Sequence, residues 1–204
     1  MTLAWLPFDA SELGVVPDGF EFGVYSHGEP PPGIEQVEFY VSAYDTPLRP
    51  AEVLPRMRSL RVLQTQTAGV DSVVRHLPDG VTLCSARGVH DAATAEMAMT
   101  LMLSATRRIP RFVDAQREGA WLHDTSGPAL ADGRVLIVGH GSIGAALERR
   151  LAGFECEIVR VARTPRAGVH SVAELPGLLG DADVVVLLVP LTDETRGLAG
   201  REFL

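Results

Sequence analysis

The residues best suited to chemistry are six in the second half of the chain, Gly139-His-Gly-Ser-Ile-Gly144. They follow the apolar run Val135–Val138, which is predicted to be a strand, and they open a helix-like segment. In a turn of this spacing Gly139 permits a sharp bend and Gly141 lets the backbone approach a pyrophosphate. Gly144 lets the helix pack closely on the strand, and the helix N-terminus supplies free N–H groups for the phosphates. The spacing therefore predicts a dinucleotide site, with a purely structural glycine turn as the alternative.

The next predicted strand, Cys156–Val161, indicates which dinucleotide is bound. An NAD-binding unit usually carries an acid at the carboxyl end of this strand, about 20 residues after the glycines, to hold the ribose hydroxyls. Glu155 and Glu157 lie near that distance but at the opposite end of the strand. The carboxyl end carries small, hydroxyl and basic residues instead: Ala162, Arg163, Thr164 and, a little further, Arg166. Because arginine binds a 2′-phosphate that a carboxylate would repel, the sequence favours NADP(H) over NAD(H), with a solvated basic face as the alternative. The missing acid also argues against a methyltransferase.

The elements that must position these residues form two α/β regions. The first region alternates short strands and helices, which is typical of a mostly parallel sheet. Its predicted strands are Leu3–Leu6, Phe22–Tyr25, Val37–Val41, Leu60–Gln64 and Val81–Cys84. Its predicted helices are Ala51–Arg58 and Asp71–Leu77. We place the domain boundary after it, giving domains 1–90 and 91–204.

The second region begins with a long helix, Ala92–Arg108, that is apolar on nearly every face. Asp91 is predicted to cap its N-terminus, and Arg107 and Arg108 to occupy its last turn. A helix of this kind is buried between domains or against a partner subunit. Beyond the strands already named, the regular pattern that follows predicts three elements: the helices Gly141–Ala152 and Val172–Leu179 and the apolar strand Asp183–Val189.

Composition excludes several other functions. The formal net charge of −8 argues against binding to nucleic acid, which depends on clustered basic residues. No apolar run reaches the ~20 residues that cross a bilayer, and the N-terminus has no leader pattern, so we expect a cytoplasmic protein that is not bound to membranes. All 18 basic residues are Arg, which excludes Schiff-base and P-loop lysines within this chain. Cys84 and Cys156 are expected to be separate buried thiols, and the histidines have no spacing typical of a metal site.

Five stretches, in the same order as in the family, give the whole chain a resemblance to the D-2-hydroxyacid dehydrogenases. The stretches are Gln64–Asp71, Arg87–Glu96, Gly139–Gly144, Val161–Thr164 and Val189–Gly197. This family includes glyoxylate/hydroxypyruvate reductases and phosphoglycerate dehydrogenases. Formate dehydrogenase, a related enzyme, is disfavoured because its chemistry uses an Asn near the substrate and this chain has none.

The resemblance implies a role for particular residues. The backbone amides of Ala68 and Gly69 would receive a substrate carboxylate, and Thr94 would lie near the nicotinamide. Ser142 and Ile143 would contact the pyrophosphate. Pro190 and Thr195 would line the cofactor side of the loop after the last apolar strand. The stretch around Arg163 and Thr164 resembles the NADP-preferring branch of the family.

The resemblance also implies an architecture and an activity. The fold class is α/β, with a flavodoxin-like substrate domain followed by an incomplete Rossmann doubly wound parallel sheet. The activity is hydride transfer between NADP(H) and a small 2-oxo acid such as glyoxylate or hydroxypyruvate. A homodimer is expected, with the helix from Ala92 and the segment around Trp121 as its surface.

The resemblance implies that the family's catalytic Arg, Glu and His would come from motifs after Leu204, so we assign no catalytic residue in this chain. Arg196, His90 and His140 are interpreted as surface or variable polar positions. We therefore expect that these 204 residues have little or no activity alone, and that the strand Asp183–Val189 exposes a sheet edge that favours aggregation. The rival hypothesis is a non-catalytic protein that binds NADP(H) or another partner.

Overall fold

The computed structural model describes residues 1–16, 18–44, 50–123, 127–201 and 203. Contacts between residues separate the chain into two compact units, Met1–Val89 and His90–Leu204. Every ladder between the named strands is parallel in both units. Parallel strands need crossover connections, and the short helices between the strands supply them.

The first unit contains five strands in the order β2-β1-β3-β4-β5. Their bounds are β1 (Thr2–Leu6), β2 (Phe20–Val24), β3 (Phe39–Val41), β4 (Val62–Gln64) and β5 (Thr82–Cys84). This order is that of the flavodoxin-like doubly wound fold, so the predicted fold of this region is confirmed. All five predicted strands are present, each with ends displaced by no more than two residues.

The helices of the first unit are shorter than the sequence predicts. The predicted helix Ala51–Arg58 divides into α1 (Pro50–Val53) and a 3-10 turn, Leu54–Arg56. Pro55 lies in that turn and has no N–H to donate, so it cannot continue the α-helical bonding pattern. The predicted helix Asp71–Leu77 is reduced to α2 (Asp71–Val74).

The second unit begins with two helices, α3 (Asp91–Thr106) and α4 (Ile109–Arg117). The predicted cap is wrong: His90 occupies the N-cap, no side chain bonds there, and Asp91 lies in the first turn. Arg107 and Arg108 lie beyond the helix, because Arg108 adopts a left-handed backbone with a φ of 54° that breaks it. Helix α4 was not predicted from the sequence.

The sheet of the second unit has the order β8-β7-β6-β9. Its strands are β6 (Arg134–Val138), β7 (Glu157–Ala162), β8 (His170–Ser171) and β9 (Val184–Leu187), and its further helices are α5 (Ser142–Leu151) and α6 (Leu175–Leu179). Numbered within the unit, the order is 3-2-1-4, which is the first part of the Rossmann order 3-2-1-4-5-6. The expectation of an incomplete Rossmann sheet is confirmed. The short strand β8 was not predicted.

Two apolar layers cover the faces of this second sheet. On one face α3 and α5 pack against β6, with Met102, Leu147 and Ile137 in one cluster. On the other face Leu136, Val161 and Leu175 form a second cluster, against which Leu198 and Phe203 also pack. Among the described strands β9 pairs only with β6, so its other side is an edge. The described residues contain no helix whose length and apolar character would let it span a bilayer.

Candidate cofactor and substrate sites

The glycine turn lies between the carboxyl ends of three strands. It follows β6 directly, and the backbone N–H groups of Gly139 and His140 both donate to the carbonyl oxygen of Val161 in β7, at 2.8 and 3.0 Å. Gly139 has a φ of +107°, and a Cβ built there would lie 2.7 Å from the carbonyl oxygen of Leu188, just after β9. Only glycine satisfies both the backbone conformation and the close approach at this position.

The other two glycines of the turn have different surroundings. A Cβ on Gly144 would lie 2.7 Å from the carbonyl oxygen of Gly139, so helix α5 can only pack this closely without a side chain. A Cβ on Gly141 would meet nothing within 4 Å. Gly141 therefore borders open space, and its lack of a side chain leaves the backbone accessible to a ligand.

The first turn of α5 presents backbone N–H groups toward that space. The first helical bond runs from the Ala145 N–H to the carbonyl of Gly141, at 2.9 Å, and no side chain caps the helix. The N–H groups of Ser142, Ile143 and Gly144 therefore precede the first helical donor. A dinucleotide pyrophosphate fits this arrangement, because it needs several convergent N–H donors and a backbone that it can approach closely.

Basic residues follow the end of β7. Arg163 and Thr164 are exposed there, and Arg166 starts a tight turn closed by two backbone bonds with Val169, of 3.2 and 2.8 Å. The Arg166 Nη2 atom donates to the Nδ1 atom and to the carbonyl oxygen of His140, each at 2.9 Å. The structure thus joins Arg166 to the glycine turn. From the sequence His140 is interpreted as a variable polar position, and this contact is not predicted because the two residues are 26 positions apart.

Glu148 and Arg160 extend this network beneath the turn. The Nε2 atom of His140 lies 2.5 Å from a carboxylate oxygen of Glu148, on the same helix α5. The other carboxylate oxygen accepts from two nitrogens of Arg160 in β7, one of them Nε at 2.9 Å. The hydrogen bond from Arg160, together with the smaller contribution of the bond with His140, lowers the pKa of Glu148 to about 2. Glu148 is therefore a carboxylate at neutral pH.

The loop after β9 closes on itself. The Thr195 hydroxyl donates to the carbonyl oxygen of Pro190, at 2.5 Å, and accepts from the backbone N–H of Thr192, at 2.8 Å. The structure thus brings together the two predicted residues of this loop, Pro190 and Thr195. The Thr192 hydroxyl lowers the pKa of Glu194, and the charge of Arg163 at the end of β7 adds to that effect.

The remaining predicted residue of the second unit, Thr94, lies half-buried in the first turn of α3. The next residue, Ala95, is fully buried in the cluster that α3 forms with α5. His90 precedes this helix as its N-cap, and Arg196 is exposed in the loop after β9. Within the described ranges, no three His, Cys, Asp or Glu side chains are grouped closely enough to hold a metal ion.

In the first unit, Ala68 and Gly69 lie exposed in the loop that follows β4. The Thr65 hydroxyl donates to the carbonyl of Thr67, at 2.9 Å, and the Thr67 hydroxyl donates to the carbonyl of Gly69, at 2.7 Å. The N–H groups of Ala68 and Gly69 donate to no acceptor among the described residues. Two free N–H groups at the carboxyl end of a parallel strand can bind a carboxylate.

Comparison with known proteins matches residues 99–204, just over half of the chain, to a family described as D-isomer specific 2-hydroxyacid dehydrogenase, NAD binding domain. A glyoxylate reductase of Thermofilum pendens is 32% identical over 167 residues, which cover 74% of this chain and 49% of the relative. The chain spans between 30% and 49% of the length of three such curated relatives.

Solved structures agree with this assignment over nearly the whole chain. The D-isomer specific 2-hydroxyacid dehydrogenase of Xanthobacter autotrophicus Py2, solved in complex with NADPH and MES, has a TM-score of 0.75 and 30% identity, covering 99% of this chain and 67% of that one. An NADPH-dependent glyoxylate/hydroxypyruvate reductase of Sinorhizobium meliloti, in complex with NADP and sulfate, has a TM-score of 0.74 and 26% identity, covering 97% and 65%. The chain belongs to the D-isomer specific 2-hydroxyacid dehydrogenase family.

Proposed function

We propose that this chain is the part of a 2-hydroxyacid dehydrogenase that binds NADP(H) and the carboxylate of a small 2-oxo acid. In this proposal residues 1–90 form the substrate domain and residues 91–204 the NADP-binding domain. The observation that carries the proposal is the glycine turn. Gly139 and Gly144 are required by packing, whereas Gly141 and the first N–H groups of α5 border open space. A purely structural turn would need Gly139 and Gly144 but would not need Gly141.

Each predicted residue has a chemical task in this proposal. The N–H groups of Ser142 and Ile143 hold the pyrophosphate, and Arg163, Thr164 and Arg166 receive the 2′-phosphate of NADP(H). Thr94, Pro190 and Thr195 line the nicotinamide end. The N–H groups of Ala68 and Gly69 hold the substrate carboxylate.

When bound, the nicotinamide supplies a hydride to the carbonyl carbon of the 2-oxo acid. Reduction also requires a proton donor at the carbonyl oxygen. The residues assigned above offer backbone amides, hydroxyls and guanidinium groups, and none of these is a general acid near neutral pH. We therefore propose that residues 1–204 bind cofactor and carboxylate without supplying the proton.

The experiment is binding followed by turnover, with the chain of residues 1–204. Calorimetry is expected to show NADP⁺ binding more tightly than NAD⁺, and oxidation of NADPH at 340 nm with glyoxylate is expected to stay at background. The proposal is overturned if neither NADP⁺ nor NAD⁺ binds. Turnover that is abolished by a substitution within the chain shows that the proton donor lies here. NADP⁺ binding without any effect of glyoxylate or oxalate favours the non-catalytic alternative.

We also propose that a second copy of the chain covers helix α3. Met97 and Leu101 are 58% and 61% exposed, and Trp121 further along is 81% exposed. Single exposed apolar residues are ordinary, but these are large and Met97 and Leu101 are neighbours on one helix face. Sedimentation equilibrium is expected to show a dimer that Met97→Glu dissociates. Arg111→Glu on α4 is the control for added negative charge and is expected to leave the dimer intact. A monomeric wild-type chain contradicts this proposal.

A further inference from the structure

His140, Glu148 and Arg160 form a chain of side chains that ends on Arg166. We propose that His140 is a positioning residue, which holds the Arg166 guanidinium at the carboxyl end of β7 in the orientation that binds the phosphate distinguishing NADP(H) from NAD(H). The inference rests on the proposed function, because it assigns a device for cofactor selection within that site. His140 itself would touch neither the substrate nor the reacting atoms.

The partners of the His140 ring determine which nitrogen carries the proton. Nε2 lies 2.5 Å from a carboxylate oxygen of Glu148, which can only accept, so Nε2 carries the hydrogen. Nδ1 lies 2.9 Å from Nη2 of Arg166, which can only donate, so Nδ1 is an acceptor. Both contacts are satisfied by one tautomer of the neutral ring. The ring therefore orients Arg166 as a hydrogen-bond acceptor.

The ring is held rigidly enough to act in this way. The side chain of His140 is only 10% exposed, and its backbone N–H is bonded to Val161 in β7. Two hydrogen bonds from Arg160 restrict the Glu148 side chain in turn, so His140 bonds a carboxylate with a fixed orientation. Partners behind a ligand-binding group commonly set its orientation in this manner.

Arg166 is held on its other side by its own backbone. Its N–H and carbonyl both bond Val169, in a turn where Gly168 has a φ of 73°. One guanidinium nitrogen, Nη2, makes both contacts with His140. The other two nitrogens, Nε and Nη1, donate to no group among the described residues, and the side chain is exposed. Arg166 is thus anchored at one corner of its guanidinium while two donors stay available for an anion.

The position of this anchored arginine is what links it to cofactor choice. His140 is the second residue of the glycine turn, and Arg166 follows the end of β7, where a dinucleotide fold holds the adenosine ribose. A guanidinium there adds charge-assisted bonds to a 2′-phosphate and contributes nothing comparable to a free 2′-hydroxyl. Loss of the orienting ring is therefore expected to weaken NADP⁺ binding selectively.

Two conservative variants separate the two ends of the ring. In His140→Asn the side-chain oxygen takes the place of Nδ1 and keeps an acceptor for Arg166, whereas in His140→Gln the amide reaches the place of Nε2 and keeps a donor for Glu148 alone. Calorimetry with NADP⁺ and NAD⁺ is expected to show that His140→Gln lowers NADP⁺ affinity about tenfold and changes NAD⁺ affinity less than twofold. His140→Asn is expected to keep most of the NADP⁺ affinity. His170→Gln is the matched control, because His170, in the neighbouring strand β8, bonds Glu174 in the turn that follows and not Arg166.

A double-mutant cycle with Arg166→Gln completes the test. In the Arg166→Gln background, His140→Gln is expected to have no further effect on the ratio of NADP⁺ to NAD⁺ affinity. Equal loss of affinity for both dinucleotides, or a lowered ratio that persists in this background, shows a merely structural role and overturns the inference. Unchanged discrimination in His140→Gln also overturns the inference and leaves the proposed function intact. Wild-type protein that binds NADP⁺ no more tightly than NAD⁺ overturns the proposed NADP preference and this inference together.

Discussion

The two candidate binding loops, residues 65–69 and 139–144, both present free backbone N–H groups at the carboxyl end of a parallel strand, but they are held differently. The first loop is held by hydrogen bonds: the hydroxyls of Thr65 and Thr67 donate to carbonyls two residues away, and backbone bonds join the loop to residues 84 and 86. The second has backbone bonds to the carbonyl of Val161 in β7 and, in addition, close packing of Gly139 against Leu188 after β9. Loss of one exposed hydrogen bond costs little, whereas a side chain added where two backbones are in contact must displace one of them.

The largest effect is expected from Gly139→Ala. The new methyl group would overlap the backbone of Leu188 and would sit on a φ of +107°, so we expect a loss of about 3 kcal/mol or more in the free energy of unfolding. Urea denaturation measures this loss. If Gly139→Ala is as stable as wild type, the proposed difference between the two loops is wrong.

Gly141→Ala is the matched control for that substitution. Its φ is −91° and its Cβ would meet no atom within 4 Å, so we expect the stability to change by less than about 0.5 kcal/mol. The same methyl group would occupy the approach to the pyrophosphate, and we expect NADP⁺ to bind at least about tenfold more weakly. Equal destabilisation by Gly139→Ala and Gly141→Ala would show that close packing extends over the whole turn and is not confined to Gly139.

A smaller effect is expected from the carboxylate beneath the glycine turn. The hydrogen bonds with Arg160 and His140 lower the pKa of Glu148 from 4.5 to about 2, so the carboxylate stabilises the fold above about pH 4.5 and loses this contribution as the pH falls toward 2. Wild type is expected to exceed Glu148→Gln by about 1 kcal/mol at pH 6, with the difference shrinking below pH 4. Denaturation at several pH values measures it.

Glu174→Gln serves as the control for pH. Hydrogen bonds with His170 and Ser171 also lower the pKa of Glu174 to about 2, but this carboxylate is exposed to solvent. Solvent screens such a pair, so we expect a smaller difference from wild type than for Glu148→Gln. A larger loss of stability in Glu174→Gln than in Glu148→Gln would contradict the contribution expected from the network beneath the turn.

A small effect on stability is expected in the first loop. Thr67→Val removes the hydroxyl that donates to the carbonyl of Gly69, an exposed contact, so we expect a loss of about 0.5 kcal/mol. The N–H groups of Ala68 and Gly69 would lose their fixed direction, and oxalate, used as a probe of the carboxylate site, is expected to bind a few-fold more weakly. Thr67→Ser keeps the hydroxyl and should match wild type in calorimetry. A loss as large as that of Gly139→Ala would erase the contrast between the loops.

The sequence predicted the strands and the glycine turn well because both depend on short-range patterns. Apolar runs bounded by Gly and Pro indicate strands whatever lies around them. Helix ends were predicted less well. Pro55 divides one predicted helix and the left-handed Arg108 ends another, through backbone constraints that the continuing apolar pattern does not reveal. The two-residue strand β8 is too short to carry any pattern.

Among the site residues, the sequence found those with a spacing signal and missed those defined by contact. Gly139, Gly141 and Gly144 are six residues from first to last and reveal themselves by spacing. His140 and Arg166 are 26 residues apart, and only the pairing of β6 with β7 brings them together. A single histidine inside a glycine motif has no partner that can be read from the chain.

The sequence by itself therefore determined the class of fold, the family and the preference for a dinucleotide, because these depend on periodicity, residue type and local spacing. Only the tertiary structure decided which glycines are required by packing and which one borders open space, since that depends on what lies opposite each Cβ. It also decided that His140 faces Glu148 and Arg166. Contacts between distant residues follow from strand pairing and side-chain packing, and the linear order of the chain does not contain them.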